Sequence, residues 1–251
     1  MLPILGIVLI PGILWCWFFY HFQRYKKVHI PLLIILFVGG MGSGFLALFL
    51  NHVIEKYTIF WPGATGQYHT ILGKNISLIS SGFWFIVGMN EEFAKLIVLL
   101  GCVFSSRHLE EKFDGILFAV AVSLGFAVME NFYYLDHYGI TVVIIRTVIT
   151  IPAHAFMSIP MGYFVAKSRL ELDSINKSNL GLFTPFMLLF VGWLFSSFLH
   201  GLYDLLLSLN MESEAYFHII FMGIISFWYV KVAIINSKNI FLKKTESNLK
   251  K

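Results

Sequence analysis

Apolar runs of about twenty residues recur along this chain, and that feature restricts its fold more than any motif does. A helix of about 20 residues crosses the roughly 30 Å hydrocarbon core of a bilayer. Seven such runs can be drawn, at 1–20, 30–52, 82–104, 114–135, 139–166, 181–208 and 215–235. The expected fold is an all-α polytopic integral membrane bundle of about seven transmembrane helices. It is read as a single domain over residues 1–236, followed by a basic cytoplasmic tail at 237–251. Only 13% of the residues are charged, about half the share typical of soluble domains. No basic stripe with interleaved aromatics lies outside the runs, so the expected partner is the lipid bilayer and not nucleic acid.

Loop charge sets the expected orientation. Arg24, Lys26 and Lys27, then Arg107 and Lys112, then Lys167, Arg169 and Lys177, and finally five lysines after residue 235 all fall in connections of one parity. The alternate connections hold Lys56 and Lys74 alone. The expectation is an N-terminus outside and a C-terminus in the cytoplasm. No basic residue precedes the apolar run that starts at Leu2, which fits a retained helix better than a cleaved signal. Trp61 to Gly66 form a turn-prone cluster, so 53–81 reads as an outer loop, partly re-entrant. Cys16 and Cys102 lie within spans and form no C-x-x-C pair. They read as small buried side chains.

Against that background the stretch Asn90-Glu91-Glu92-Phe93-Ala94-Lys95 stands out, because it places two carboxylates and an ammonium inside a span. Intramembrane charge is unfavourable and marks a functional site by default. Glu91 and Lys95 are four apart, so pairing between them is expected, with Glu92 about 100° round the helix and free to trade protons. Three further spans carry polar groups. Span 4 has Glu130 and Asn131, and Asp114 as a helix N-cap at its other end. Span 5 has Arg146, expected to neutralise an acid or snorkel outward, and Pro152 two residues before His154. Span 6 has His200 and Asp204, four apart, so Asp204 is expected to orient the imidazole. Counted from the outer ends at 1.5 Å per residue, the set spans roughly 5 to 23 Å of depth.

Carboxylates, two histidines and an amide suggest hydrolysis by an activated water, with a glutamate as base and Asn131 or a histidine stabilising the oxyanion. A Zn2+ ion held by His154, His200 and Glu92 is an equally readable alternative. H-E-x-x-H does not occur, and Asp204 has only Asp114, at the opposite face, as an aspartyl partner. Gly42-Ser43-Gly44 reads as a helix-packing stretch and not as a nucleophile loop. From another functional class, a proton- or cation-coupled transporter would use the same Glu, His and Asp groups as a relay. No internal repeat of the transporter kind is visible.

Four motifs together carry a resemblance. E-E-F-A-K at 91–95, F-D-G-I-L-F-A-V-A-V-S-L-G-F-A-V-M-E-N at 113–131, P-A-H-A at 152–155 and H-G-L-Y-D at 200–204 resemble the PrsW family of intramembrane proteases, in order and spacing over about 88–206. That family is similar in motif logic to the CaaX prenyl endopeptidases and the bacteriocin-processing membrane proteases. The resemblance implies a cell-membrane endopeptidase that makes the first, extracytoplasmic-side cut in a single-span membrane protein, typically an anti-sigma factor. By motif, Glu91 and Glu92 correspond to the acidic pair and His154 and His200 to the catalytic or ligand histidines. Glu130, Asn131, Asp204 and Lys95 take supporting places. The resemblance leaves open whether the chemistry is glutamate-only or metal-dependent.

Overall fold

A computed structural model describes residues 2–23, 25, 27–58, 68–71, 74–105, 108–175 and 182–249. The seven apolar runs form seven helices: α1 (Leu2–His21), α2 (Ile30–Thr58), α3 (Leu78–Ser105), α4 (Lys112–Tyr138), α5 (Ile140–Ile175), α6 (Phe183–Ser208) and α7 (Glu212–Leu249). Six are long and apolar enough to cross a membrane. The exception is α3, because every 18-residue window along it contains Glu91, Glu92 and Lys95. The helix set apart by its charge is therefore the one that carries the acidic pair. The chain is a multi-pass membrane protein.

Two expectations need correction. The segment 53–81 is not all loop: α2 continues to Thr58, and an antiparallel hairpin of β1 (Tyr68–Ile71) and β2 (Lys74–Ser77) leads directly into α3. The cluster at 61–66 lies outside the described residues. The tail is not a separate extension either, since α7 runs across residue 237 without a break as far as Leu249. At 1.5 Å per residue α7 is about 57 Å long, so it projects well beyond one hydrocarbon core.

The helix α4 is the axis of the bundle. Every residue from Phe113 to Val128 is buried, whereas the surrounding helices expose Ile35, Phe49, Val148, Phe183, Phe217 and Ile224 outward. Apolar surface facing outward costs nothing in lipid, so helix association there relies on close packing. Glycines provide it. A Cβ on Gly40 would lie 2.0 Å from the Val122 carbonyl oxygen, and one on Gly125 would lie 1.9 Å from that of Phe37. The backbones of α2 and α4 therefore touch. Ser43, in the glycine-rich stretch, donates to its own helix at the Gly40 carbonyl (2.7 Å), as packing and not nucleophilic chemistry requires.

Polar groups repair the backbone where the sequence breaks it. Pro160 within α5 has no N–H for the Phe156 carbonyl, and Ser226 of α7 donates to that oxygen instead (2.6 Å). At the start of α4, Glu111 is the N-cap, and Asp114 stands three residues in rather than at the cap itself. Its carboxylate accepts from the Glu110 and Glu111 N–H groups (2.9 and 3.1 Å) and from Gln23 (3.1 Å), which ties the α1–α2 connection to this end. At the other end Gly139, with φ +79°, is the sole residue between α4 and α5. Such a φ suits glycine and turns the chain back at once.

Candidate active site

That antiparallel course gathers the polar groups toward one end of the bundle. Glu91 lies in the first half of α3, His154 in the first half of α5, and Asn51, Glu130, His200 and Asp204 toward the C-terminal ends of α2, α4 and α6. Gly88 and Gly201 hold α3 against α6 beside them: a Cβ on Gly88 would meet the Gly201 nitrogen at 2.5 Å, and one on Gly201 the Phe85 Cα at 2.7 Å. Gly201→Ala must push α6 away from α3 at the residue next to His200. The expected result is at least a tenfold loss of activity together with a stability loss of about 1–3 kcal/mol, the usual range for overpacking. Activity assays and melting of the purified protein check it.

Glu92 is at the centre. Its Oε1 lies 2.6 Å from Lys95 Nζ and 2.9 Å from His200 Nδ1, and its Oε2 accepts from Ser158 (2.8 Å). Both Glu92 and Lys95 have side chains with 0% exposure. The expected Glu91–Lys95 pair is therefore replaced by a Glu92–Lys95 pair at i,i+3. Both spacings bring side chains together on a helix, so the neighbours decide. Lys95 points to His154 and lies 4.2 Å from the centre of the Phe126 ring, on the side where Glu92 also points. Glu91 instead turns to α2, where Asn51 Nδ2 donates to its Oε1 (3.2 Å).

The histidines join the acids of three helices. Lys95 Nζ, which can only donate, lies 3.3 Å from His154 Nδ1, so that nitrogen accepts and Nε2–H donates to Glu130 Oε2 (2.8 Å). His200 gives Nδ1 to Glu92 and holds Nε2 3.3 Å from Glu91 Oε2. Asp204 approaches the same nitrogen only to 3.7 Å, too far for a hydrogen bond. Glu92, not Asp204, therefore orients the ring: it accepts from Nδ1 at hydrogen-bonding distance. The two rings are edge to face with centroids 5.0 Å apart. Arg146 neutralises an acid, lying 2.7 Å from Glu130 Oε2 and donating through Nε to Asn131 Oδ1 (3.0 Å), with its guanidinium over Tyr134. All eight residues singled out from the sequence belong to this one network. Asn51, Ser158 and Ser123, which backs Ser158 at 3.0 Å and donates to the His154 carbonyl (2.7 Å), were not singled out. An amide in the apolar run of α2 was the available signal for Asn51.

Four carboxylates, Glu91, Glu92, Glu130 and Asp204, share this site with Lys95 and Arg146. Among the described residues Glu91 Oε2 and Asn131 Nδ2 are buried without a hydrogen-bond partner. The short Glu91–His200 distance is thus an ion-pair approach without hydrogen-bond alignment. The donor types suit zinc. The arrangement does not: no three histidine, cysteine or acidic side chains among the described residues converge as a metal site. Lys95 faces His154 Nδ1, and both Glu92 oxygens are already taken.

A family model described as "PrsW family intramembrane metalloprotease" matches residues 28–233, most of the chain. The chain belongs to the PrsW family. It is similar to Protease PrsW of Bacillus subtilis (strain 168), with 28% identity over 231 residues, 91% of this chain and 93% of that protein. Protease PrsW of Geobacillus kaustophilus is 27% identical over 229 residues, covering 91% and 89%. Protease PrsW of Shouchella clausii is 35% identical over 151 residues, covering 59% and 66%. No solved structure matches. Every polar group of the network described above lies within the PrsW-matched region, and the protein is an intramembrane protease by family.

Proposed function

We propose that the protein hydrolyses a peptide bond of a single-span membrane protein, with Glu91 activating the water. One observation carries this reading, namely the unequal state of the two adjacent acids. Glu92 has 0% side-chain exposure and partners on both oxygens, so it holds Lys95 and His200 in place. Glu91 has 11% exposure and one oxygen without a hydrogen bond, beside partly exposed Glu130 and Asp204. A general base needs an oxygen that is not already bonded, and of the pair Glu91 alone has one.

In this reading Glu91 Oε2 takes a proton from water as the water oxygen attacks the substrate carbonyl carbon. Asn131 Nδ2 donates to the oxyanion that forms, its amide fixed because Arg146 holds Oδ1. The leaving amine takes its proton from His200 or His154. Zn2+ is the ion to assay for, since His154, His200 and Glu92 are of the side-chain types that bind it. The loop charges support an outer position for this end of the bundle. An anti-sigma-type protein, cut first on that side, is the substrate class the family resemblance supports.

The test compares protein N-termini in membranes from cells making wild type and Glu91→Gln at equal levels, under envelope stress. New N-termini in or just outside the spans of single-pass proteins, present with wild type alone, are the expected result. Identical profiles would overturn the reading.

A further inference from the structure

We propose that Asn51, held by Asn90, is a positioning residue that presents the Glu91 carboxylate for the hydrolytic step; this rests on Glu91 being the base. Asn51 Nδ2 donates to Glu91 Oε1 and Asn90 Nδ2 donates to Asn51 Oδ1, both at 3.2 Å. The second bond gives the first its direction. With Oδ1 occupied by Asn90, the amide of Asn51 turns its donor toward Glu91. Asn90 and Glu91 are consecutive in α3, so the two bonds clamp the carboxylate between α2 and α3. Oε1 is then held, and Oε2 is the oxygen left unbonded beside His200.

An amide pair that merely joined two helices would bond amide to amide and stop there. This one ends on a carboxylate of the reacting cluster. Nor does α2 need the pair to stay in place, because its backbone is already seated against α4 through Gly40 and Gly125. Loss of Asn51 therefore removes an orienting bond and leaves the packing.

The experiment follows the rate at which the wild-type-dependent N-termini accumulate after induction, in membranes carrying Asn51→Leu, Asn51→Ser, Asn90→Ala or the Asn51→Leu/Asn90→Ala pair. Asn51→Leu is expected to slow cleavage about 10- to 100-fold, the range for losing a partner that orients a reacting group. Asn51→Ser, which restores a donor, recovers part of the rate. Asn90→Ala slows wild type but adds nothing to Asn51→Leu, as coupled neighbours require. Melting temperatures stay near wild type. Wild-type cleavage by Asn51→Leu, equal effects of Asn90→Ala in both backgrounds, or rate losses that track loss of folded protein would each overturn the proposal. Glu91→Gln in the same series separates the two ideas. If it is silent while Asn51→Leu is fully active, the positioning role alone fails; if it cuts normally, the base assignment fails first.

Discussion

Glu91→Gln abolishes cleavage and leaves the protein folded. The substitution keeps the size of the side chain and an oxygen for Asn51, but it removes the only carboxylate of the acidic pair with a free oxygen. General-base catalysis contributes about 10²–10⁴-fold, so the residual rate falls by at least the lower figure. Stability changes little, because Glu91 meets its partners at 3.2 and 3.3 Å, and no lysine or arginine among the described residues lies within ion-pair distance. Melting of the purified variant within a few degrees of wild type, with no product, is the expected pairing of results.

Lys95→Met has the opposite balance, striking stability as hard as activity. Lys95 is fully buried and 2.6 Å from a fully buried carboxylate. Removing one member of such a pair strands the other charge, at about 3–5 kcal/mol. Glu92→Gln strands the ammonium in the same way. Replacing both, as Glu92→Leu/Lys95→Met, removes the stranded charge, and a well-packed apolar pair in a buried site is commonly neutral or stabilising. Melting is therefore expected to recover in the double variant while cleavage stays lost, since His200 Nδ1 no longer has its acceptor. A double variant no more stable than either single one would show that the ion pair is not what holds α3, α5 and α6 together here. In the proposed mechanism the two acids divide into a reacting group and a holding group, and the mutants separate them by which property fails.

Much of this was legible in the sequence, for a physical reason. Hydropathy in a membrane chain reports spans directly, so the seven helices emerge in order, although α5 and α7 run 9 and 14 residues past the expected ends of their spans, and charge inside a span is rare enough to draw attention. What the sequence does not carry is the choice among near-equal local options. Lys95 can reach Glu91 or Glu92 from the same helix, and only the positions of His154 and Ser158 on α5 decide. His200 can be oriented by Asp204 on its own helix or by Glu92 on another, and the stronger contact crosses the bundle. Asn51 lies 40 residues from Glu91, in a run that looked like ordinary span. The hairpin before α3 has strands of four residues, too short for periodicity to reveal. Helix α7 continues as helix past residue 236 because its terminal stretch keeps good helix formers such as Leu242, Lys243 and Lys244 after the apolar run ends.

The most direct test is reconstitution. Purified wild-type protein and Glu91→Gln are placed in separate proteoliposomes, each with the single-span protein whose new N-terminus the membrane comparison identifies, and both fragments and proton flux are followed. The account predicts fragments from wild type alone, cut at the bond found in cells, with equal proton leak in both preparations. An intact substrate beside a proton flux that needs Glu130 and His154 would contradict it, and would make the buried cluster a transport relay instead.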